Sequence, residues 1–353
     1  MKKYDAIVYI GKFSPFHDET LKLALSKAKQ VIMVIGSANS ARTPKVPWSV
    51  EDRKELIEWA CIDSGIAQRG KAEAYYTGIH YVFAEDRLYN ENKWIQYIQS
   101  KVDAITMSST NIAIIGHEKD SSSYYLKQNF PLWDFVETGP YVKEQSGKVV
   151  SATKIRELMF EGHIGYTENH LSPTVYRFLA DYQETNHFSK LQQEYSSIIN
   201  EEKLIEHLPY GMTFVTADSL VTQSGHILLV KRGTYPGKGL WALPGVHVGH
   251  NETVKEASLR ALVDETHLKV PTKVLKGSLK GMHLFDHPNR SLRARLTKSK
   301  ARTLTHAYHY ELDSSQPLPK NVRGGEGIEE AWWFTFSEVY KMRSELFEDH
   351  PDI

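Results

Sequence analysis

The chain has 353 residues, with 43 basic and 43 acidic side chains that bring its formal charge to zero, and a single cysteine, Cys61. That length exceeds what one hydrophobic core usually serves, roughly 250 to 300 residues, and it implies two domains. No basic excess suits a nucleic-acid backbone or an anionic membrane, no apolar run approaches the roughly 18 residues of a membrane span, and one cysteine makes no internal disulfide, so the expectation is a cytoplasmic protein without nucleic-acid or membrane partners.

Residues 6–10 form an apolar, strand-like run that leads at once into GKFSPFH at 11–17 and then into a helical pattern at 21–28. A strand, a tight loop and a helix start in succession make an anion site. Unpaired N–H groups carry the positive end of the helix, Gly11 admits close approach, and Lys12 and His17 add cations. The loop has neither G-x-G-x-x-G nor G-x-x-x-x-G-K-[ST], which argues against a hydride-transfer domain and a P-loop ATPase. Further strand-like runs at 31–35 and 111–115 alternate with helical patterns at 50–60, 93–99 and 122–128, and this alternation predicts a parallel sheet covered on both faces. Ser49 reads as the N-cap of the second helix, with Glu51 and Asp52 in its first turn and Gly65 past its end. Cys61 falls in the apolar stretch 56–62 and reads as a buried thiol. The loops at 11–17, 36–42 and 116–120 all follow strands, where ligands of such sheets gather. The polar stretch 184–203 reads as a partly helical connection, giving a first domain over 1–190, a linker over 191–207 and a second domain over 208–353. There, 213–216 and 226–231 read as strands around a turn at 223–225, and WALPG at 241–245 leads into a helical run at 252–267.

The GKFSPFH loop with the following DET resembles the G-[KR]-F-x-P-x-H-x-x-H loop of the HxGH nucleotidylyltransferases, and SATKIR at 151–156 resembles their ISSTxxR signature. Between them, GSANSARTPKVPWSVEDR at 36–53 and GHEKDSSSYYL at 116–126 resemble segments of archaeal-type nicotinamide mononucleotide adenylyltransferases. The resemblance implies a Rossmann-like α/β domain that uses ATP, nicotinamide mononucleotide and Mg²⁺. The mononucleotide phosphate attacks the α-phosphorus of ATP and pyrophosphate leaves, so no protein nucleophile is needed and catalysis is alignment and charge stabilisation. It implies catalytic roles for Lys12, His17 and Arg156, with Ser151 and Thr153 beside Arg156 on the β and γ phosphates. Gly11, Phe13, Thr20, Gly36, Ser37, Arg42, Arg53, Gly116, His117, Lys119 and Asp120 are the implied nucleotide-binding positions. Asp86 and Asn90 fall in a loop resembling the base-recognition segment, and Trp94 or Trp48 could stack on the nicotinamide. The chain departs from the pattern at Glu19 and Thr20, where the family has Gly and a second His. Nicotinate mononucleotide differs by a carboxylate for an amide, and the sequence leaves both substrates open.

The second half resembles the Nudix domain, whose box G-x5-E-x7-R-E-U-x-E-E-x-G-U aligns over 246–268. Glu252, Arg260, Leu262, Glu265 and Leu268 match, while Val246, Ala261, Asp264 and His267 replace Gly, Glu, Glu and Gly. Helix positions i, i+3 and i+4 share a face, so a full box aims three carboxylates at a metal; here Ala261, Asp264 and Glu265 offer two carboxylates and a methyl. FDHPNRSLRAR at 285–295, THAY at 305–308 and GGEGIEEAWW at 324–333 resemble Nudix domains that act on ADP-ribose. An α+β domain is implied that splits ADP-ribose into AMP and ribose 5-phosphate with metal-activated water, using Mg²⁺ or Mn²⁺. The implied metal ligands are Glu252, Asp264, Glu265 and Glu326, the catalytic carboxylates Glu265 and Glu329, and the ADP-ribose contacts Arg232, Gly245, Arg290, Arg293 and Arg295. Glu330 shares the loop of Glu326 and Glu329. His247 and His250 flank Gly249 without a nearby Cys and are not read as a zinc pair. A module that senses ADP-ribose without hydrolysing it is the alternative that Ala261 favours. Assembly into a homo-oligomer is left open.

Overall fold

The computed structural model describes residues 3–16, 18–66, 78–118, 123–139, 151–297 and 301–353, and the chain divides into two compact units, Met1–Leu191 and Gln192–Ile353. In the first, strands β1 (Tyr4–Gly11), β2 (Ala28–Ile35), β3 (Ile79–Phe83), β4 (Ile112–Gly116) and β5 (Asp134–Glu137) pair in parallel in the order β3-β2-β1-β4-β5. Helices α1 (Glu19–Lys27), α2 (Val50–Asp63), α3 (Glu91–Thr106), α4 (Tyr125–Gln128), α5 (Ala152–Phe160) and α6 (Pro173–Tyr182) accompany them. Every residue from Val31 to Ile35 is fully buried, which is why the central strands read as unbroken apolar runs rather than alternating ones. The core between sheet and helices includes Ala6, Val8, Ile32, Val34, Ile98 and Phe130. The chain moves outward from β1 through β2 to β3 and then returns to the other side of β1 as β4 and β5. The loops after β1 and β4 therefore open at the reversal, where a crevice forms. Helix α2 begins on a reciprocal cap: Ser49 Oγ accepts from the Asp52 N–H (3.1 Å) and the Asp52 carboxylate accepts from the Ser49 N–H (2.9 Å). Cys61 is buried, and burial pushes its thiol up to about 12, which keeps it inert at neutral pH.

The stretch expected to be a linker is the second half of one continuous helix, α7 (Asn186–Ile205), that runs across the boundary between the units. Its buried residues are Phe188, Leu191, Glu194, Ile198 and Glu202, a stripe at helical spacing. Two of the stripe positions are glutamates, and they mask the periodicity in the sequence.

In the second unit, β6 (Thr213–Gln223), β7 (His226–Arg232), β8 (Trp241–Ala242), β9 (Gly245–His247), β10 (Leu279–Phe285), β11 (Arg302–Glu311) and β12 (Ile328–Thr335) form a seven-stranded mixed sheet. Its spine is β10-β11-β6-β7-β12, with β6 and β11 parallel, and β9 pairs antiparallel with β6. Helices α8 (Val254–Thr266), α9 (Thr272–Gly277), α10 (Leu292–Leu296) and α11 (Phe336–Lys341) complete it. Thr253 and Glu256 close a second reciprocal cap at the start of α8, and His267 ends that helix in the left-handed conformation (φ +50°). Among the described residues, no helix is long and apolar enough to cross a membrane.

Candidate functional sites

In the first unit the loops after β1 and β2 are tied together by one side chain. Arg53 of α2 is 1 % exposed, and all of its described bonds go to backbone oxygens: Nε–H donates to Ser49 (3.1 Å), Nη1 to Lys12 (2.9 Å) and Gly36 (2.7 Å), and Nη2 to Ser37 (3.1 Å). Burial lowers its guanidinium to about 10, so it stays charged at neutral pH. Expected to contact the nucleotide, Arg53 instead braces the two loops from behind. Arg156, near the start of α5, behaves alike. It is 7 % exposed, donates to the Ser14 carbonyl and to Thr153 Oγ1 (3.1 Å), and is lowered to about 10 by burial. Its guanidinium therefore shapes the GKFSPF loop, and Thr153 is its partner. Ser151 Oγ caps α5 by accepting from the Lys154 N–H (3.1 Å). Other N–H groups of that first turn have no partner within the helix and can meet an anion.

Phe13 (φ +48°) is 7 % exposed, its ring meeting Tyr9 and Phe16 edge-on at 4.9 and 5.7 Å, so it anchors the loop by packing. Thr20, in place of the family's second His, hydrogen-bonds with the buried Tyr9 hydroxyl, whose pKa burial raises to about 12. Asp86 accepts from both the hydroxyl (2.6 Å) and the N–H (3.2 Å) of Ser37 and lies 3.8 Å from Lys12 Nζ. Gly11, Lys12, Gly36, Ser37 and Asp86 are thus brought together at the strand ends. Other expected contacts have partners of their own. Asn90 caps α3, accepting from the Lys93 N–H (3.0 Å). Trp48, 1 % exposed among Phe178 and Tyr182, is core and offers no face to a ligand. Trp94 packs on the core with its ring 6.0 Å from Phe130. Arg42 pairs with Asp52 (3.1 Å), and His117, beyond Gly116 at the end of β4, meets Glu137 through Nδ1 (2.8 Å). His17, Lys119 and Asp120 lie outside the described residues.

In the second unit the centre is Glu265, in the last turn of α8. Its Oε2 accepts from the Gly245 N–H (2.9 Å), and its own backbone oxygen accepts from the Gly325 N–H (3.0 Å). Gly325 lies so close to the backbone of Asp264 that any Cβ there would collide with it, so only glycine lets the 324–327 loop dock on this turn. The Gly233 N–H donates to Gly327 O (2.8 Å) and secures the other end of the loop beside Arg232. Burial pushes the Glu265 carboxyl up to about 7, against the opposing pull of the Gly245 N–H and the Arg232 charge. Glu326 is exposed on the same loop, whereas Glu329 and Glu330, read from the sequence as loop residues, are exposed at the start of β12.

Sequence reasoning missed Asp218, which is 6 % exposed on β6 with its pKa raised to about 7 by burial, Arg290 opposing and Asp349 and Glu265 adding. It pairs across the sheet with Gly245, where a Cβ would overlap the carboxylate. The available signal was an acid between Ala217 and Ser219, both fully buried.

Several implied ligands are committed elsewhere. Glu252 receives Arg260 on both oxygens (2.6 and 3.0 Å), with the Gly249 N–H on one of them, and these bonds depress its carboxyl to about 2; it braces the loop before α8 instead of joining Glu265. Ala261 is fully buried while Asp264 is exposed, so residues 261, 264 and 265 do not form one open face. Arg290, 3 % exposed, is a core ion pair with Asp349 (two bonds of 2.8 Å) and also donates to Thr305. Arg293 pairs with Glu201 of α7 (2.5 and 3.1 Å), and Arg295 donates to Ser291 O (3.3 Å). Arg232 donates to Pro236 O (2.8 Å) and stacks on Phe347 at 4.2 Å. Among the described residues, no three His, Cys, Asp or Glu side chains converge as a metal cage.

Glu194 supplies a pH test. It is 5 % exposed, accepts from the Gly237 N–H (2.7 Å), and burial, reinforced by Glu348, lifts it to about 7. The folded pKa lies above the unfolded one, so its favourable contribution is complete below about pH 4.5 and is lost as pH rises through about 7, a swing of roughly 3 kcal/mol. Glu194→Gln keeps an oxygen for Gly237 and should raise the Tm of the second unit at pH 8 but not at pH 5. An equal change at both pH values in thermal unfolding would contradict this origin.

Comparison with known proteins matches the same two units. The NUDIX domain model matches residues 212–353. The chain is 35 % identical over 198 residues to the nicotinamide/nicotinic acid mononucleotide adenylyltransferase of Acinetobacter baylyi, covering 55 % of this chain and 95 % of that one. An ADP-ribose pyrophosphatase of Methanocaldococcus jannaschii is 39 % identical over 80 residues, covering 23 % of this chain and about half, 47 %, of that protein. The crystal structure of a bifunctional NMN adenylyltransferase/ADP ribose pyrophosphatase from Francisella tularensis, complexed with AMP and Mn ion, is 30 % identical with a TM-score of 0.84, over 98 % of this chain and 96 % of that one. With both units matched in one protein along nearly its whole length, the chain belongs to the family of bifunctional NMN adenylyltransferase/ADP-ribose pyrophosphatases.

Proposed function

We propose that the first unit transfers the adenylyl group of ATP to nicotinamide mononucleotide, giving nicotinamide adenine dinucleotide and pyrophosphate. The observation that carries this is the Arg53 clamp, which ties the loop after β1, one of the two that open at the sheet reversal, to the loop after β2, with Lys12 among the residues held. The oxygens of the mononucleotide phosphate attack the α-phosphorus, and charge moves onto the departing pyrophosphate. Lys12, His17 and the N–H groups at the start of α5 would meet that charge. The Acinetobacter relative is named for both bases, which favours a second reading in which the unit also accepts nicotinate mononucleotide. Arg156→Ala should lower synthesis by roughly 10²-fold, the scale for misplacing pre-organised donors, and Arg156→Lys should recover little because one ammonium does not reproduce the fork on Ser14 and Thr153. Steady-state kinetics decide it; wild-type turnover in either variant would remove Arg156 from this role.

The second unit, in the same reading, hydrolyses ADP-ribose to AMP and ribose 5-phosphate. Its carrying observation is Glu265, held between Gly245 and the docked Gly325 loop. The Glu265 and Asp218 carboxyls are each raised to about 7 by burial, with Glu265 adding to the rise at Asp218, and a divalent cation nearby would stabilise their ionised forms. Glu265 and Asp264 would hold the cation, Mg²⁺ or Mn²⁺, with Glu326 on the docked loop beside them. When bound, such an ion supplies an activated water and neutralises pyrophosphate charge. The ionised form of Glu265 is the one that would ligate the cation, exposed Glu329 is the carboxylate left to accept a proton from the water, and Arg232 beside Glu265 opposes the substrate's negative charge. Product chromatography after incubation with ADP-ribose separates hydrolysis from binding alone, the outcome that would make this unit a sensor.

A further inference from the structure

Side chains alternate along a strand, so the face of β6 that carries Asp218 also carries Thr216 and Phe214. Pairing with β9 sets Gly245 opposite Asp218 and His247 opposite Thr216. One such step of two residues spans about 7 Å. The rings of His247 and Phe214 therefore begin a step or two along the strands from the Gly245 N–H that holds Glu265, on the face of the sheet that carries Asp218. They meet edge to face at 5.4 Å and line a cavity of about 300 Å³, walled also by Ile198 of α7 and by Met212. The volume is at the lower end of ligand sites, roughly 300 to 1,000 Å³. The Glu201–Arg293 ion pair lines it too, and burial, with Arg293 adding, lowers the His247 pKa and keeps the imidazole neutral.

We propose that this cavity seats the purine base of the substrate cleaved at the Glu265 centre, with Phe214 and His247 against the ring faces and Glu201 accepting from the exocyclic amino group. The inference rests on the reading of that centre as an ADP-ribose hydrolase. The two ends of ADP-ribose differ in what they could gain here. A terminal ribose presents hydroxyls on all sides, and burying them against Ile198 and Met212 leaves them unpaired. A purine presents two apolar faces and a polar edge, which matches apolar and aromatic walls with the Glu201 and Glu202 carboxylates among them. Arg293, implied by sequence to touch the diphosphate, is then a residue of the base site, its guanidinium orienting Glu201.

The test uses the full-length protein. It is irradiated with 8-azidoadenosine diphosphate ribose and the labelled peptides are sequenced, while KM and kcat for ADP-ribose are measured for wild type and Phe214→Ala. The expected label falls on peptides containing Ile198, Met212, Phe214 or His247, is suppressed by AMP and not by ribose 5-phosphate, and the variant raises KM about tenfold with little change in kcat, the scale of one lost base stack. Label elsewhere in the chain, or none, while ADP-ribose is being hydrolysed overturns the inference, as does an unchanged KM in folded Phe214→Ala. If that variant does not fold, the label on the unmutated protein decides alone. A wild-type protein that binds ADP-ribose and releases no AMP at any divalent-cation concentration removes the hydrolase reading instead, and the position of the label still shows whether the base sits here.

Discussion

Glu265→Gln should reduce ADP-ribose hydrolysis by roughly 10²- to 10³-fold, the scale for losing one pre-organised charge-stabilising group at a reacting centre, and leave dinucleotide synthesis at its wild-type rate. The glutamine keeps an oxygen for the Gly245 N–H, so the docked 324–327 loop has no reason to move. What disappears is the charge: an amide offers none to a cation. Synthesis serves as the internal control, because every residue implied in it precedes Leu191, the end of the first unit. Assay of both activities on one preparation checks the expectation. Hydrolysis within tenfold of wild type would move the centre away from Glu265.

The second large effect is expected at Arg53. Arg53→Met removes the donor from the carbonyls of Ser49, Lys12, Gly36 and Ser37 at once. Each buried acceptor left without a partner costs about 1–3 kcal/mol. Four of them amount to a large part of the roughly 5–15 kcal/mol that holds a domain folded, so the first unit should unfold at a much lower temperature. Arg53→Lys should be milder for stability and still cost synthesis more than about tenfold, since a single ammonium does not span both loops. Hydrolysis by the second unit should persist in both. A first-unit Tm and a synthesis rate both equal to wild type in Arg53→Met would show that the clamp does not hold the site.

The parts legible in the sequence were those whose function depends on local spacing. GKFSPFH and SATKIR announce a helix start after a strand or loop, and a helix start creates its own unpaired N–H groups. The apolar runs of β1, β2 and β4 likewise announce a sheet covered on both faces, and the parallel order observed follows. What stayed hidden depends on distant partners. An arginine in a nucleotide-like motif reads the same whether it meets phosphate or carbonyl oxygens, and Arg53 meets carbonyls. Arg290 reads as a loop cation, yet its partner Asp349 lies 59 residues further on. Glu252 matches the Nudix box by position, but the partner eight residues along, Arg260, claims both of its oxygens. Asp218 belongs to no motif, and only the cross-sheet pairing with Gly245 brings it to Glu265. Helix α7 was legible only as a partly helical connection, because Glu194 and Glu202 occupy its buried stripe.

The central claim, two nucleotide chemistries in one chain, is tested most directly by product analysis of the purified full-length protein. One portion is incubated with ATP, Mg²⁺ and nicotinamide mononucleotide, and another with ADP-ribose and Mg²⁺ or Mn²⁺, and both are resolved by chromatography. The account predicts nicotinamide adenine dinucleotide with pyrophosphate from the first and AMP with ribose 5-phosphate from the second. A folded protein that forms no dinucleotide from either the nicotinamide or the nicotinate mononucleotide, or that leaves ADP-ribose intact with both metals, would contradict it.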